Sequence, residues 1–222
     1  MIEQILKSLI ELEGKKIKDL PGANNFSLKN KSYSRVVLDN YLSTIINQNK
    51  QKKINVNRLI EENNLIMRTV PISFASLNPL ESTRISTISL INLADENWED
   101  SEVYKYLKGV LFLPFLIKDR HLGQPYREFG KAFIWIPLSE EIEQCRLDWL
   151  LFKNAAEKGL IPNSREKINS EKFPTEADTK FIHMRPHSTK GKYELDKFGN
   201  KVRRMAFMLN KGFLRSIIVK NK

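Results

Sequence analysis

Arg68 lies inside the run 65–71, Leu-Ile-Met-Arg-Thr-Val-Pro, which is otherwise apolar apart from Thr69. Such a run suits a pleated strand, and Pro71, which cannot donate to a ladder, is a natural end for it. A guanidinium placed there needs an anion. By itself it reads as an edge or snorkelling arginine satisfied by the nearby acids Glu61 and Glu62. A second concentration of chemistry sits at the other end of the chain. Residues 180–222 carry twelve Lys and Arg against only Glu194 and Asp196, so +10 of the chain's formal +11 falls in its last fifth. A phosphate backbone is the commonest partner for so concentrated a field, because each neutralised phosphate releases condensed counterions. An anionic membrane surface competes with it.

Other chemistries are excluded by count. Cys145 is the single cysteine, so neither a disulfide framework nor a cysteine zinc site can form within one chain, and a reducing, cytoplasmic setting is expected. His121, His183 and His187 are too scattered for a metal cluster. The amino terminus is amphipathic and has no signal-peptide pattern, and no apolar run is long enough to span a bilayer. At 222 residues and 41% hydrophobic, the chain can bury a substantial core, and a single domain is expected.

The elements that must position these residues follow from periodicity. Helical spacing predicts a helix over 2–12 stopped by Gly14, a helical turn from Lys16, and a long helix from Ser32 through Ile46 that carries Asp39. Residues 23–31 and 48–55 read as loops, and 57–63 as a short strand or turn. Strands are predicted at 65–70, 72–74, 84–93, 109–117 and 131–137, the fourth being central because it is the most apolar. A helix over 101–107 precedes it. Ser139 followed by Glu140 and Glu141 predicts a helix to about Lys158, closed by Gly159. Residues 161–179 are loop, 181–186 and 204–209 strands, 190–200 a basic hairpin, and 212–219 a final helix. The order implies an α/β or α+β domain, a mixed central sheet flanked by helices. Its parts are an amino-terminal helical part over 1–63, the sheet and helix over 64–160, and a basic lobe over 161–222.

Four stretches together resemble the MutH family, which includes the mismatch-repair nicking endonuclease and GATC-cutting type II restriction endonucleases. They are 31–39; 68–71 with 80–83; 98–101 with 106–114; and 184–187 with 207–211. The resemblance runs over about 6–219 and implies a restriction-endonuclease-like PD-(D/E)xK core. In that family carboxylates hold Mg²⁺ and a lysine two residues beyond the second acid assists the attacking water, since hard oxygen ligands and a positive charge must meet at the phosphate. Carried over residue by residue, Asp39 falls where the family has a helix-borne Glu and is the one implied metal ligand. Leu59 falls on the preceding Asp, and Ile66-Met67-Arg68 on Glu-x-Lys. Lys108 stands where the family has a lysine near the phosphate. Isoleucine cannot ligate Mg²⁺, and arginine stays protonated and forks its charge.

The resemblance therefore implies a nuclease-like fold that has lost its cutting centre and holds no cofactor. Arg68 then becomes a relic of the catalytic lysine, serving as a phosphate contact or an ion pair with Asp39. The alternative is an active Mg²⁺-dependent endonuclease built from Asp39 with Glu61 or Glu62 as a rearranged acid. On the binding side, Arg185, His187, Lys190, Lys192, Arg203, Arg204 and Lys211 are the implied DNA contacts, with Met208 in place of a tyrosine of the nicking enzyme. The implied partners are double-stranded DNA with a GATC site and a catalytic nuclease domain or subunit, as in two-domain members whose second domain lacks the catalytic set. A basic module for a protein or membrane partner explains the charge but not the ordered motifs.

Overall fold

The computed structural model describes residues 2–28, 32–48, 55–119, 121–162, 171–187 and 193–221. In chain order the elements are α1 (Ile2–Ile10), α2 (Tyr33–Asn47), α3 (Val56–Glu62), β1 (Ile66–Ser73), β2 (Thr83–Ile88), α4 (Leu90–Asp95), α5 (Glu102–Tyr106), β3 (Val110–Ile117), β4 (Glu128–Phe129), β5 (Phe133–Trp135), α6 (Ser139–Glu157), β6 (Ile182–Pro186), β7 (Glu194–Leu195), β8 (Lys201–Val202), β9 (Met205–Leu209) and α7 (Lys211–Lys220). The fold is mixed α/β, with a mixed sheet and flanking helices, as the pattern predicts. Two compact units interleave along the chain. One comprises Met1–Glu81, Gly109–Ile136 and Ile217–Lys222, the other Ser82–Lys108 and Pro137–Ser216.

In the first unit β3 is the central strand. It runs parallel to β1, Ile66 opposite Val110 through Ser73 opposite Ile117, and antiparallel to β4 and β5. Its residues Val110–Leu113 are fully buried, which is why the sequence there shows no alternation. The strand at 65–70 does not stop at Pro71 as expected but continues to Ser73, absorbing most of the separate strand expected at 72–74. The Pro71 carbonyl points outward, accepting from Leu80 N at 2.9 Å, so the missing amide hydrogen also lies on the side away from β3 and breaks no ladder bond. Residues 57–63 form a helix rather than a strand or turn. Asn55 caps it by accepting from Arg58 N at 3.2 Å, and Val56, Leu59 and Ile60 bury one helical face. The cores of α1 (Ile5, Leu9), α2 (Val37, Leu38, Leu42) and α3 join Leu111, Leu113 and Phe115 in one cluster.

The second unit is built on the antiparallel order β2-β9-β6, with every residue of β9 buried. Residues 84–93 are not one strand. β2 ends at Ile88, and Ser89 caps α4 by accepting from Asn92 N at 3.2 Å. The apolar alternation simply runs on across the cap. α6 starts where the sequence places it, but its first amides are satisfied differently: Leu138 N donates to the Glu141 carboxylate at 3.0 Å, and Ser139 is already helical. Phe152 of α6 meets Phe207 of β9 edge-on at 5.8 Å. Gly159, at φ 72°, closes the helix as predicted. Among the described residues no helix is long and apolar enough to cross a membrane.

Candidate functional site

The acids and the cation that could form a cutting centre in the first unit each have a local partner. Asp39 lies on α2, one turn after Arg35, and the Arg35 Nε sits 2.9 Å from Oδ1 and 3.0 Å from Oδ2. Arg35 Nη2 also donates to Asn57 Oδ1 at 2.6 Å, so one guanidinium ties α2 to the start of α3. Arg35 thus grips the carboxylate that the sequence offered to Arg68. Arg68 is half-buried and donates from Nη1 to the carbonyl of Met67 at 3.2 Å. Ile66 precedes it on the same face of β1, two residues away. Leu59, which the resemblance sets against the family's Asp, is only 5% exposed and belongs to the core. The rearranged acid fares no better. Glu62 pairs with Arg58 at 2.9 Å on the solvated face of α3, and Glu61 is exposed beside it.

Mg²⁺ takes near-octahedral oxygen ligation, usually through one or two carboxylates with waters and phosphate oxygens. Leu59 and Ile66 offer none, and Asp39 is already engaged by Arg35. Among the described residues no group of three or more His, Cys, Asp or Glu could hold a metal ion. The residues present do not fit the metal that the family uses. Lys108, exposed at the end of α5, belongs to the second unit.

The second unit gathers cations on its sheet. Arg84 projects from β2, Arg185 from β6, and His187 and Arg204 flank the adjoining ends of β6 and β9. Arg84 Nη1 lies 2.6 Å from His187 Nε2, and His187 N donates to the carbonyl of Arg204 at 2.9 Å. Because guanidinium only donates, Nε2 accepts and the proton of neutral His187 sits on Nδ1. Partial burial, then Arg84, then Arg185 lower the His187 pKa below 6.5, since each disfavours a further positive charge. Arg204 is approached by Glu194 at 4.0 Å. Arg203 is half-buried, Lys201 and Lys211 are exposed, and the expected contacts Lys190 and Lys192 lie outside the described residues.

Two further side chains of this sheet are buried. Met208 is 1% exposed and opposite both Arg84 and His183 in register, so its side chain is packed within the unit rather than presented to a ligand. His183 is the other. It is 5% exposed, with Nδ1 2.5 Å from Asn210 Oδ1 and Nε2 3.8 Å from Glu176. Sequence reading missed Arg84 and Arg35. Arg84 had a signal, an isolated cation at the start of a β-branched run. Arg35 had the i, i+4 spacing to Asp39.

The family model described as "DNA mismatch repair enzyme MutH" matches residues 46–148. A relative from Citrobacter koseri, described as DNA mismatch repair protein MutH, is 27% identical over 160 residues, covering 70% of this chain and 64% of its own. A protein of the same description from Salmonella paratyphi B is 35% identical over 83 residues, 37% of this chain and 35% of its own. The chain thus spans at most about two thirds of the length of these relatives. The 83-residue match is the more similar per residue, the longer one more diverged.

Proposed function

Because this chain is a MutH-like family member, with that family's restriction-endonuclease-like α/β fold and its DNA-binding, nuclease-like character, we propose that it binds a short duplex site and does not cut it. Its task is then recognition, the positioning or activation of a catalytic nuclease domain or subunit in a GATC restriction system, in the manner of the non-catalytic domain of two-domain relatives. The observation that carries the reading is the pairing of a vacated acid set with a kept cationic face. On the register that the resemblance implies, Leu59 and Ile66 stand where carboxylates would be needed; Arg35 engages Asp39, and Arg84, Arg185, His187 and Arg204 lie together on one sheet. Loss of cutting without loss of binding would produce this pattern. Arg84, Arg185, His187, Arg203, Arg204, Lys201 and Lys211 are the proposed contacts among the described residues, with Lys190 and Lys192 from the adjoining segment. Arg68 is proposed as a phosphate-facing relic rather than a catalyst.

The competing reading is an active Mg²⁺-dependent endonuclease using Asp39 with Glu61 or Glu62. Incubation of supercoiled plasmid with the full chain and Mg²⁺ or Mn²⁺ separates the two. The expected result is no nicking above a buffer control over hours. Nicking that disappears in Asp39→Ala or Glu62→Ala would restore the enzyme.

The lowered pKa of His187 gives a second expectation. A bound phosphate would offset the repulsion from Arg84 and Arg185 and raise that pKa, so the complex takes up a proton. Affinity should therefore rise as pH falls through 6.5, by up to about tenfold per pH unit for one linked proton. In the free protein the sign is opposite: the stability associated with neutral His187 is present above pH 6.5 and is lost as pH falls through the lowered value. Anisotropy titrations of a duplex at stepped pH test this. His187→Gln should flatten the profile, and an unchanged profile in that variant would exclude the histidine from the interface.

A further inference from the structure

The β7–β8 hairpin stands beside the cationic face, and a cleft lies next to it. It encloses about 250 Å³ and is lined by Ile161, Pro186, Tyr193, Lys201, Arg203 and Met205 among others. Val202 and Met205, 4% and 1% exposed, supply an apolar floor. Tyr193 is 55% exposed, so about half of its surface is open to solvent. Lys201 and Arg203 put two cations on the same cleft.

The hairpin is held in place by its own turn. Asp196 is 5% exposed, and its carboxylate accepts from Phe198 N at 2.9 Å, Asn200 N at 2.8 Å and Asn200 Nδ2 at 2.8 Å. Asp196 N donates to Asn200 O at 3.0 Å, and Gly199, at φ 81°, completes the turn. Glu194 opposite Val202 and Leu195 opposite Lys201 then fix the two arms. Tyr193, Lys201 and Arg203 are thereby offered on an ordered frame.

An apolar floor, an open aromatic face and two cations are complementary to one ligand class, a nucleobase with its phosphate. Every base has a π-face that can stack on tyrosine, and the adjoining phosphate seeks lysine and arginine. The cleft is smaller than the roughly 300–1,000 Å³ typical of drug-sized ligands, which suits a single base. Pro186, on its wall, lies between Arg185 and His187, so a duplex held on those cations would run alongside it.

We propose that this cleft is a subsite for a nucleobase lying outside the duplex stack, stacked on Tyr193 with its phosphate on Lys201 and Arg203. The inference rests on the duplex-binding reading above. A base already unpaired would enter without the unstacking penalty that a paired one carries.

The test compares three fluorescein-labelled duplexes of the same length: fully paired, carrying one bulged nucleotide, and carrying one bulged abasic residue. Affinities are measured by anisotropy for the full wild-type chain, Tyr193→Ala and Tyr193→Phe. The wild type should bind the base-bearing bulge about 5- to 100-fold more tightly than the abasic bulge, the range expected for one base stacked on an aromatic ring. Tyr193→Ala should erase that difference while leaving the paired duplex within about twofold, and Tyr193→Phe should keep it. Equal affinity of wild type for the two bulges overturns the subsite and leaves duplex binding standing. Failure to bind any of the three overturns the duplex-binding reading, and the subsite with it.

Discussion

Asp148→Ala is expected to remove about 3–5 kcal/mol of folding stability, the loss typical of breaking a buried charged network from one side. Asp148 is 2% exposed on α6. Its carboxylate accepts from Phe181 N at 2.7 Å, Ile182 N at 3.0 Å, Lys180 N at 3.2 Å and Gln144 Nε2 at 3.0 Å. Those three amides belong to the entry of β6, so a single side chain docks the strand that carries Arg185 and leads into His187 onto the helix. Alanine leaves the amides buried without an acceptor, at about 1–3 kcal/mol for each orphaned group before relaxation. Asp148→Asn keeps one acceptor but turns a donor toward the amides, and should fall between. Urea unfolding reads the effect as a lowered midpoint at unchanged slope. A shift worth less than about 1 kcal/mol would mean that water replaces the carboxylate, and that β6 is not held as described.

Replacing Arg84, Arg185 and Arg204 together with alanine is expected to weaken duplex binding by about 1,000-fold, at roughly tenfold for each charge-assisted phosphate contact. If each arginine meets one phosphate, the slope of log K against log salt should become shallower by about 2.7. A matched variant losing the exposed Lys7, Lys15 and Lys18 of the first unit removes the same formal charge. It should change affinity far less. Equal losses from the two triples would show that net charge alone drives binding and that no particular face is used.

The sequence was most legible where one physical signal dominated. The unbroken apolar run of β3 could only be a central strand, α2 announced itself by periodicity, and α6 by its start at Ser139 and its stop at Gly159. Errors arose where two signals overlapped. The β-branched alternation of β2 continues through Ser89 into α4, so the cap was hidden inside a strand-like pattern. α3 is a single short stretch whose Asn55 cap follows a polar segment, and its helical spacing was lost among the polar residues. Pairings across sequence distance were invisible. Nothing near Asp148 foretells amides more than thirty residues away, and nothing near Arg84 foretells His187 across a bulged β2. Met208 was assigned from the strand it occupies, whereas its burial depends on what packs over that strand.

The central claim is recognition of a duplex by a fold without a metal site, and the equilibrium affinity of the full chain for DNA tests it most directly. A duplex holding one GATC site and a scrambled duplex of the same composition are titrated across a salt series in the absence of divalent cations. Both should bind at low salt with log K falling linearly in log salt, and the GATC duplex should keep an advantage on the order of 10³-fold near physiological salt. No complex at low salt, or equal affinities for the two duplexes at every salt, would contradict it.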